Sequence, residues 1–376
     1  MNIALLLPRS VLYPSISFDI MDGLKTCFKK LGLDGAHQIV SANIGLAAKS
    51  EEIYTTCEAL LLNDTDVIVG YMNPISAEFI HPLFESSGKI LIVLDSGYHF
   101  HSFEGKLSNA YFLSLQGSLC SRAIVRKAFE DGQNNFAFTC SFYDAGYRSP
   151  YAYAIAAEEK GGAISYNHIT PLKKADFSLE PLAEYLENNK DVAILASFCG
   201  DMTEDFFREA KKFDSILASK TYGSGFTAEE LWLSKIPYPG YDWSCSVPWS
   251  SKIESKENIE FVNAMESIKA NKANVFSLLG WEAALFISIM NKNSIDGLII
   301  NSPRGSVFIN PNTGFSEAPV YYATVTKNEE TGNCHLDTIT EVVNLDQERE
   351  SLQQNINAIK DTLTNSWLNA YACLDS

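Results

Sequence analysis

Short apolar runs alternate with helically spaced apolar positions along most of this chain, the pattern of a parallel sheet with crossover helices. Residues 3–7 read as a first strand. Ile20, Leu24, Cys27, Phe28 and Leu31 then recur at helical spacing and stop at Gly32, a good helix terminator. A short strand at Ile39-Val40, a helix over 51–62, a strand over 67–70, a helix over 74–86 and a strand over 90–94 complete one α/β lobe by residue 115. The 90–94 run is continuous enough for burial on both faces.

The alternation then restarts. Helices are predicted over 120–129, 151–160, 179–188 and 202–212, and strands over 136–140, 163–169, 192–197 and 215–218. The stretch 236–249 holds three prolines and a group of aromatic residues, so regular structure is expected to lapse there, with a crossing between lobes near Val247-Pro248-Trp249. Helices return over 258–270 and 281–290. Residues 306–325 read as two strands joined by the turn Asn310-Pro311-Asn312-Thr313-Gly314. Asn344 with Gln347 three residues on suggests a capping box for a helix running to about residue 372, with the stripe Leu352, Ile356, Ile359, Leu363, Trp367 and Tyr371. Docking of that stripe on the parent domain is favoured over a two-stranded coiled coil.

Composition places the chain among ordinary globular proteins: 376 residues, 46% hydrophobic and 20% charged. Lys plus Arg total 29 against 46 Asp plus Glu, a formal charge of -17, which repels nucleic acid and anionic lipid and sets both aside as partners. No apolar run approaches the ~18 residues of a membrane span. The apolar start lacks the basic flank and cleavage site of a signal peptide. Either the protein is cytoplasmic, or it is periplasmic with a signal segment removed before Met1. The eight cysteines show no CxxC pairing and read as small buried hydrophobes.

Several strings invite a chemical reading. Gly223-Ser224-Gly225-Phe226-Thr227-Ala228 has the form of a dinucleotide fingerprint, but Pro237 and Pro239 stand where the second strand and its ribose-binding acid belong, so a flexible strand-to-helix turn is the better reading. Asp95, His99 and His101 lack a further partner for a metal site and read as surface loop. Glu204-Asp205 and Glu229-Glu230 open predicted helices, where negative charge suits the dipole. Nucleophile-elbow and P-loop motifs are missing, so neither a catalytic residue, a cofactor nor a metal is expected. What stands out is the placing of aromatic residues at strand-to-helix junctions, where open parallel sheets bind ligands.

The order of elements, with Asp22-Gly23, Asp66-Val67-Ile68-Val69-Gly70, Gly280-Trp281-Glu282-Ala283-Ala284 and Ala318-Pro319-Val320-Tyr321, resembles the type I periplasmic solute-binding proteins, in their leucine/isoleucine/valine-binding-like branch, over residues 2–326. The resemblance implies an α/β fold of two Rossmann-like lobes, a hinge of three crossings and no catalysis. It suggests a first lobe from 1–115 and 249–318, a second from 116–248 and 319–340, and a C-terminal amphipathic helix from 341–376.

Carried over by position, the resemblance implies ligand-binding roles for Arg9, Ser10, Tyr13, Tyr71, Asn73, Ser76, Asp95, Ser96 and Tyr98 in the first lobe. Tyr143, Tyr147, Phe198, Asp201 and Tyr222 follow in the second, with Trp281 bordering the cleft. Amino-acid binders of the family place an acid near 222–224 for the ligand ammonium; Ser224 and Gly225 stand there in this chain, and Asp95 or Asp201 are the candidate substitutes. The expected function is binding of an amino acid or an aromatic or apolar acid-like solute by a monomer that closes on it and delivers it to an ABC permease. A cytoplasmic or membrane-associated sensor of the same fold is the alternative, and an NAD-dependent enzyme ranks third.

Overall fold

Asn2–Leu7 (β1) has five of its six residues buried, which places it inside a sheet rather than at an edge. The computed structural model describes residues 1–10, 12–45, 50–142, 144–146, 149–171, 173–270, 272–290 and 294–360. Ile16–Lys30 (α1) leads to Gln38–Asn43 (β2), Ser50–Leu62 (α2) to Val67–Tyr71 (β3), and Pro74–Ser87 (α3) to Ile90–Asp95 (β4), with Ala110–Ser114 (β5) last. The result is an all-parallel sheet ordered β2-β1-β3-β4-β5. Helix α1 buries Ile20, Leu24, Cys27 and Phe28 and stops before Gly32, whose φ of +71° suits glycine. Strand β5 is an element that the sequence pattern did not reveal.

From β5 the chain enters a second sheet. Gly117–Glu130 (α4), Asn135–Cys140 (β6), Ser149–Glu159 (α5), Ala163–Ile169 (β7), Glu180–Asn188 (α6), Ala193–Ser197 (β8) and Asp201–Ala210 (α7) keep the alternation. Residues 215–218, expected as a strand, belong instead to the helix Asp214–Ala218 (α8), closed by Ile216 and Leu217 N–H groups on Phe213 O. A four-residue apolar run carries no period that separates the two states. The strand is Thr221–Gly223 (β9), followed by a 3-10 turn over Gly225–Ala228 and a short helix, Glu230–Leu233 (α9). Within 236–249, expected to be irregular, Trp243–Val247 (β10) is a strand: Pro237, Pro239 and Pro248 flank it and leave its ladder intact.

Val247 packs in the second lobe's core and Trp249 in the first's, where its indole N–H donates to Asn258 Oδ1 at 2.7 Å. Lys256–Glu266 (α10) and Val275–Ile289 (α11) follow. Helix α11 starts six residues earlier than its apolar pattern suggested, because Asn274 and Ser277 form a capping box. It lies flat on α1. A Cβ on Gly23 would stand 2.0 Å from Ser277 O, and one on Gly280 would stand 2.1 Å from Ile20 O, so these glycines permit backbone contact between the helices.

Ile299–Ser302 (β11), Gly305–Ile309 (β12) and Ser316–Glu317 (β13) form a small antiparallel sheet. The expected hairpin is therefore only half present: past Pro319 the chain leaves β12 and joins the second sheet as Tyr321–Lys327 (β14), paired with Cys334–Glu341 (β15). The second sheet is ordered β15-β14-β10-β9-β8-β6-β7. The lobes are thus linked three times, after β5, after β10 and between β13 and β14.

Leu345–Ile359 (α12) docks on α4. Arg122, almost fully buried, donates through Nε to Glu348 at 3.0 Å, through Nη1 to Asn355 at 2.9 Å, and through Nη2 to Glu159. Asn344 is left-handed (φ +54°) and its side chain caps nothing, so the expected capping box does not form. Leu363, Trp367 and Tyr371 lie outside the described residues. No helix among the described residues is long and apolar enough to cross a membrane.

Candidate functional site

The carboxyl ends of both sheets meet at the junction of the lobes. After β1, the Ser10 hydroxyl accepts the Tyr13 N–H at 3.0 Å, and this turn aims the Tyr13 ring across the junction. Its hydroxyl accepts the N–H of Gly200, after β8, at 3.3 Å, and its ring meets Phe226 and Phe276 at 6.0 and 5.0 Å between centroids. Tyr71, at the end of β3, is buried with its ring 5.8 Å from Phe276. Asn73 and Ser76 serve the start of α3, the Asn73 side chain accepting the Ser76 N–H at 2.7 Å. Arg9 is exposed.

The loop after β4 lies between two cavities. Ser96 and Tyr98 face the second lobe, where the Tyr98 hydroxyl donates to Ser224 Oγ at 3.0 Å and its ring lies 5.7 Å from Phe226. Asp95, Gly97, His99 and His101 line a different pocket, beneath α12. Asp95 was expected at the ligand cleft; as the last residue of β4 it takes the opposite side from Ser96 and lines the pocket beneath α12 instead. Its Oδ2 accepts the Gly97 N–H at 2.9 Å, and burial pushes its carboxyl up to about 7. Gly97 has φ +77°, and a Cβ there would stand 2.4 Å from Gly117 N, so the loop lies directly on the first lobe crossing.

In the second lobe the structure departs further from expectation. Tyr222 is in the core, and its hydroxyl donates to Asp131 Oδ2 at 3.0 Å. Asp131 ends α4, at the amino-terminal edge of the sheet, so Tyr222 points away from the lobe junction. Phe198 is buried against Phe206 with centroids 4.7 Å apart. Asp201 opens α7 and accepts from Lys174 Nζ. Trp281 stands edge-on to Phe261 at 5.3 Å within the first lobe's core. Tyr143 and Tyr147 lie outside the described residues. Of the expected set, the junction gathers Ser10, Tyr13, Tyr71, Ser96 and Tyr98.

Two residues at the junction escaped the sequence reading. Phe226, inside the glycine-rich string, inserts its ring between Tyr13, Tyr98 and Phe276. Glu229 does cap α9, its Oε1 accepting the Leu231 N–H at 3.2 Å, yet it is 5% exposed and its Oε2 has no partner of hydrogen-bonding geometry. Burial pushes this carboxyl up to about 8. Glu229 lines the interlobe cavity with Ser96, Tyr98, Gly117, Gly225 and Phe226, and the space between them is about 10 Å³, one water's worth. The lobes are thus in contact, with aromatic rings filling the junction. The glycine-rich string was the available signal, since a strand-to-helix turn is where open parallel sheets bind ligands.

Two α/β lobes, three linking segments and a junction at the carboxyl ends of both sheets define the class of solute-binding proteins that hold small molecules between lobes. The chain belongs to the periplasmic binding protein family, whose sequence profile matches residues 1–329. Among solved structures it is similar to an ABC transporter substrate-binding protein from Sphaerobacter thermophilus (TM-score 0.77, 14% identity, covering 91% of this chain and 98% of that one). It is likewise similar to a solute-binding protein of an ABC transporter from Rhodopseudomonas palustris BisB5 in complex with 3,4-dihydroxybenzoic acid (0.72, 18%, 91% and 97%). A third is the leucine-, isoleucine-, valine-, threonine- and alanine-binding protein of Brucella ovis in its closed conformation (0.70, 11%, 91% and 95%). At these identities the likeness is one of fold. No curated protein sequence matches the chain.

Proposed function

We propose that this protein binds a small organic solute, an amino acid or an aromatic acid, between its lobes and presents it to an ABC permease in the periplasm, without turnover. The observation that carries the reading is the interlobe cavity, where the Tyr98 and Phe226 rings surround the buried Glu229 carboxyl. Rings supply apolar stacking, and a carboxyl with a spare oxygen supplies one polar anchor. It is protonated when it faces a carboxylate and ionised when it faces an ammonium. The aromatic acid held by the Rhodopseudomonas protein and the apolar amino acids named for the Brucella protein are the two ligand classes to try first.

The lobe division at residues 115/116, 248/249 and 318/319 is part of this proposal, as is a monomeric state, which the packing of Leu345 and Ile356 of α12 on their own chain supports. Periplasmic residence is compatible with the thiols. Burial pushes Cys27, Cys57, Cys120 and Cys334 up to about 12, so these four offer little thiolate to an oxidising compartment.

Calorimetric titration and thermal shift of the full chain against benzoate, 4-hydroxybenzoate, leucine, isoleucine, valine and a set of sugars test the reading. A ligand at 100 times its dissociation constant stabilises by about 2.7 kcal/mol. Binding of an acid or amino acid that weakens in Glu229→Gln supports the assignment. Silence across the panel, with no small molecule released from the denatured protein in mass spectrometry, overturns it.

A further inference from the structure

A second pocket, of about 310 Å³, lies on the opposite side of the 95–101 loop from the interlobe cavity. Its walls come from that loop, from the β5–α4 crossing, from the β12–β13 turn and from the underside of α12. The volume falls in the range of small-molecule sites. We propose that this hinge pocket is a second ligand site, taking a small organic cation, a primary ammonium on an apolar body, with Asp95 and Ser118 as its anchors.

Two independent acceptors carry the argument. Asp95 and Ser118 each have 1% exposure; Asp95 Oδ1 and Ser118 Oγ have no partner of hydrogen-bonding geometry, although the Ser96 N–H and the Ser114 hydroxyl stand near the Asp95 carboxyl. The Ser118 N–H is bound to Gly97 O at 2.9 Å, which fixes the α4 start against the loop that carries Asp95. Buried oxygens without donors are costly, and an ammonium supplies three donors at once. Both oxygens are buried, in side chains that line the pocket.

The remaining lining suits the same ligand. Phe100, Leu119, Phe315, Leu352 and Ile356 give an apolar wall. Glu317 and Glu350 add negative charge. The pocket's arginine, Arg349, donates to Gln116 Oε1 and Ala318 O and pairs with Asp346 at 3.4 Å. His101 gives its Nδ1 to Phe103 O at 2.9 Å, and burial holds its pKa below the usual value. Three acids, Asp95, Glu317 and Glu350, stand here against the one arginine, so the balance of the lining favours an amine over an organic anion.

The test uses the full chain with phenethylamine as probe and 2-phenylethanol as its uncharged counterpart, followed by calorimetry and by amide chemical shifts. Saturable phenethylamine binding in the millimolar range or tighter is expected, with 2-phenylethanol weaker by about ten-fold, the loss of one charged contact. Asp95→Asn removes the charge, and Leu352→Trp fills the pocket from α12 without touching the acid. Loss of phenethylamine binding in either folded variant supports the site. Retention in both, or no saturable binding to the wild-type chain, overturns it. Glu229→Gln, in the interlobe cavity, is expected to leave phenethylamine affinity unchanged, so failure of this site and failure of the interlobe reading are distinguishable.

Discussion

The hydroxyl of Tyr98, in the loop after β4, donates to Ser224 Oγ, after β9, at 3.0 Å, and so one buried hydrogen bond spans the two lobes. The Tyr98 ring also lies against Gly117 so closely that a Cβ there would stand 2.6 Å from it. Any opening of the lobes breaks the bond and exposes the ring. Removing the hydroxyl in Tyr98→Phe forfeits about 1 kcal/mol of contact between lobes, a several-fold shift toward open forms. Small-angle scattering of the ligand-free protein is expected to give a larger radius of gyration for Tyr98→Phe than for wild type, and a larger one again for Gly117→Ala. Identical scattering in all three would mean that this contact does not hold the lobes together.

Glu229 makes stability depend on pH in a defined direction. The folded protein keeps this proton up to about pH 8, while the unfolded chain releases it near 4.5. Burial is the main cause, the neighbouring Glu230 adds to it, and Lys235 opposes it. Between those values the folded state binds more protons, so stability falls as pH rises and levels off above about 8. Glu229→Gln removes that slope. Its unfolding free energy is expected to match wild type near pH 4.5 and to exceed it near pH 8, by on the order of a few kcal/mol, which denaturant melts at the two pH values read directly. Parallel pH profiles for the two proteins would place the proton elsewhere.

How far the sequence carried can be judged from these same residues. Strands β1 and β4 were legible because runs buried on both faces are dense in apolar residues, and α1 ended where Gly32 ends it. That density also concealed the direction of Tyr222. In a strand with every residue buried, alternation does not tell one face from the other, and only the bond to Asp131 shows which way the ring goes. Glu229 was hidden for a different reason: its helix-capping role is local and visible, whereas its burial comes from the other lobe closing over it. Asp95 and Ser96 stood side by side as candidates, and the strand period that separates them was available in the sequence.

The direction of Tyr222 yields its own prediction. Tyr222→Phe deletes the hydroxyl bond to Asp131 and nothing at the lobe junction. A bond to a charged acceptor is worth roughly 1.5–3 kcal/mol, so the urea midpoint is expected to fall. Affinity for whichever solute the interlobe cleft takes is expected to stay within about two-fold of wild type, well under 1 kcal/mol. A Tyr222→Phe protein with normal stability and weakened binding would return this ring to the ligand.

Glu348 decides whether α12 stays on its lobe. It is 4% exposed and accepts from Arg122 Nε and Lys160 Nζ, both at 3.0 Å, so two cations converge on one carboxylate. Glu348→Ala leaves Arg122 with Glu159 and Asn355 but removes its most buried partner. The loss of a charged contact of this kind, roughly 1.5–3 kcal/mol, falls on one helix rather than on the sheets, because α12 packs at the surface of the second lobe. Hydrogen exchange is expected to speed by about ten-fold or more across 345–359 while β6 and β8 keep their protection. Gln347→Ala is the matched control: the residue is exposed, and the box in which its side chain would cap Asn344 is not formed. Equal exchange in the two variants would mean that the apolar stripe alone, through Leu345, Leu352 and Ile356, holds the helix in place.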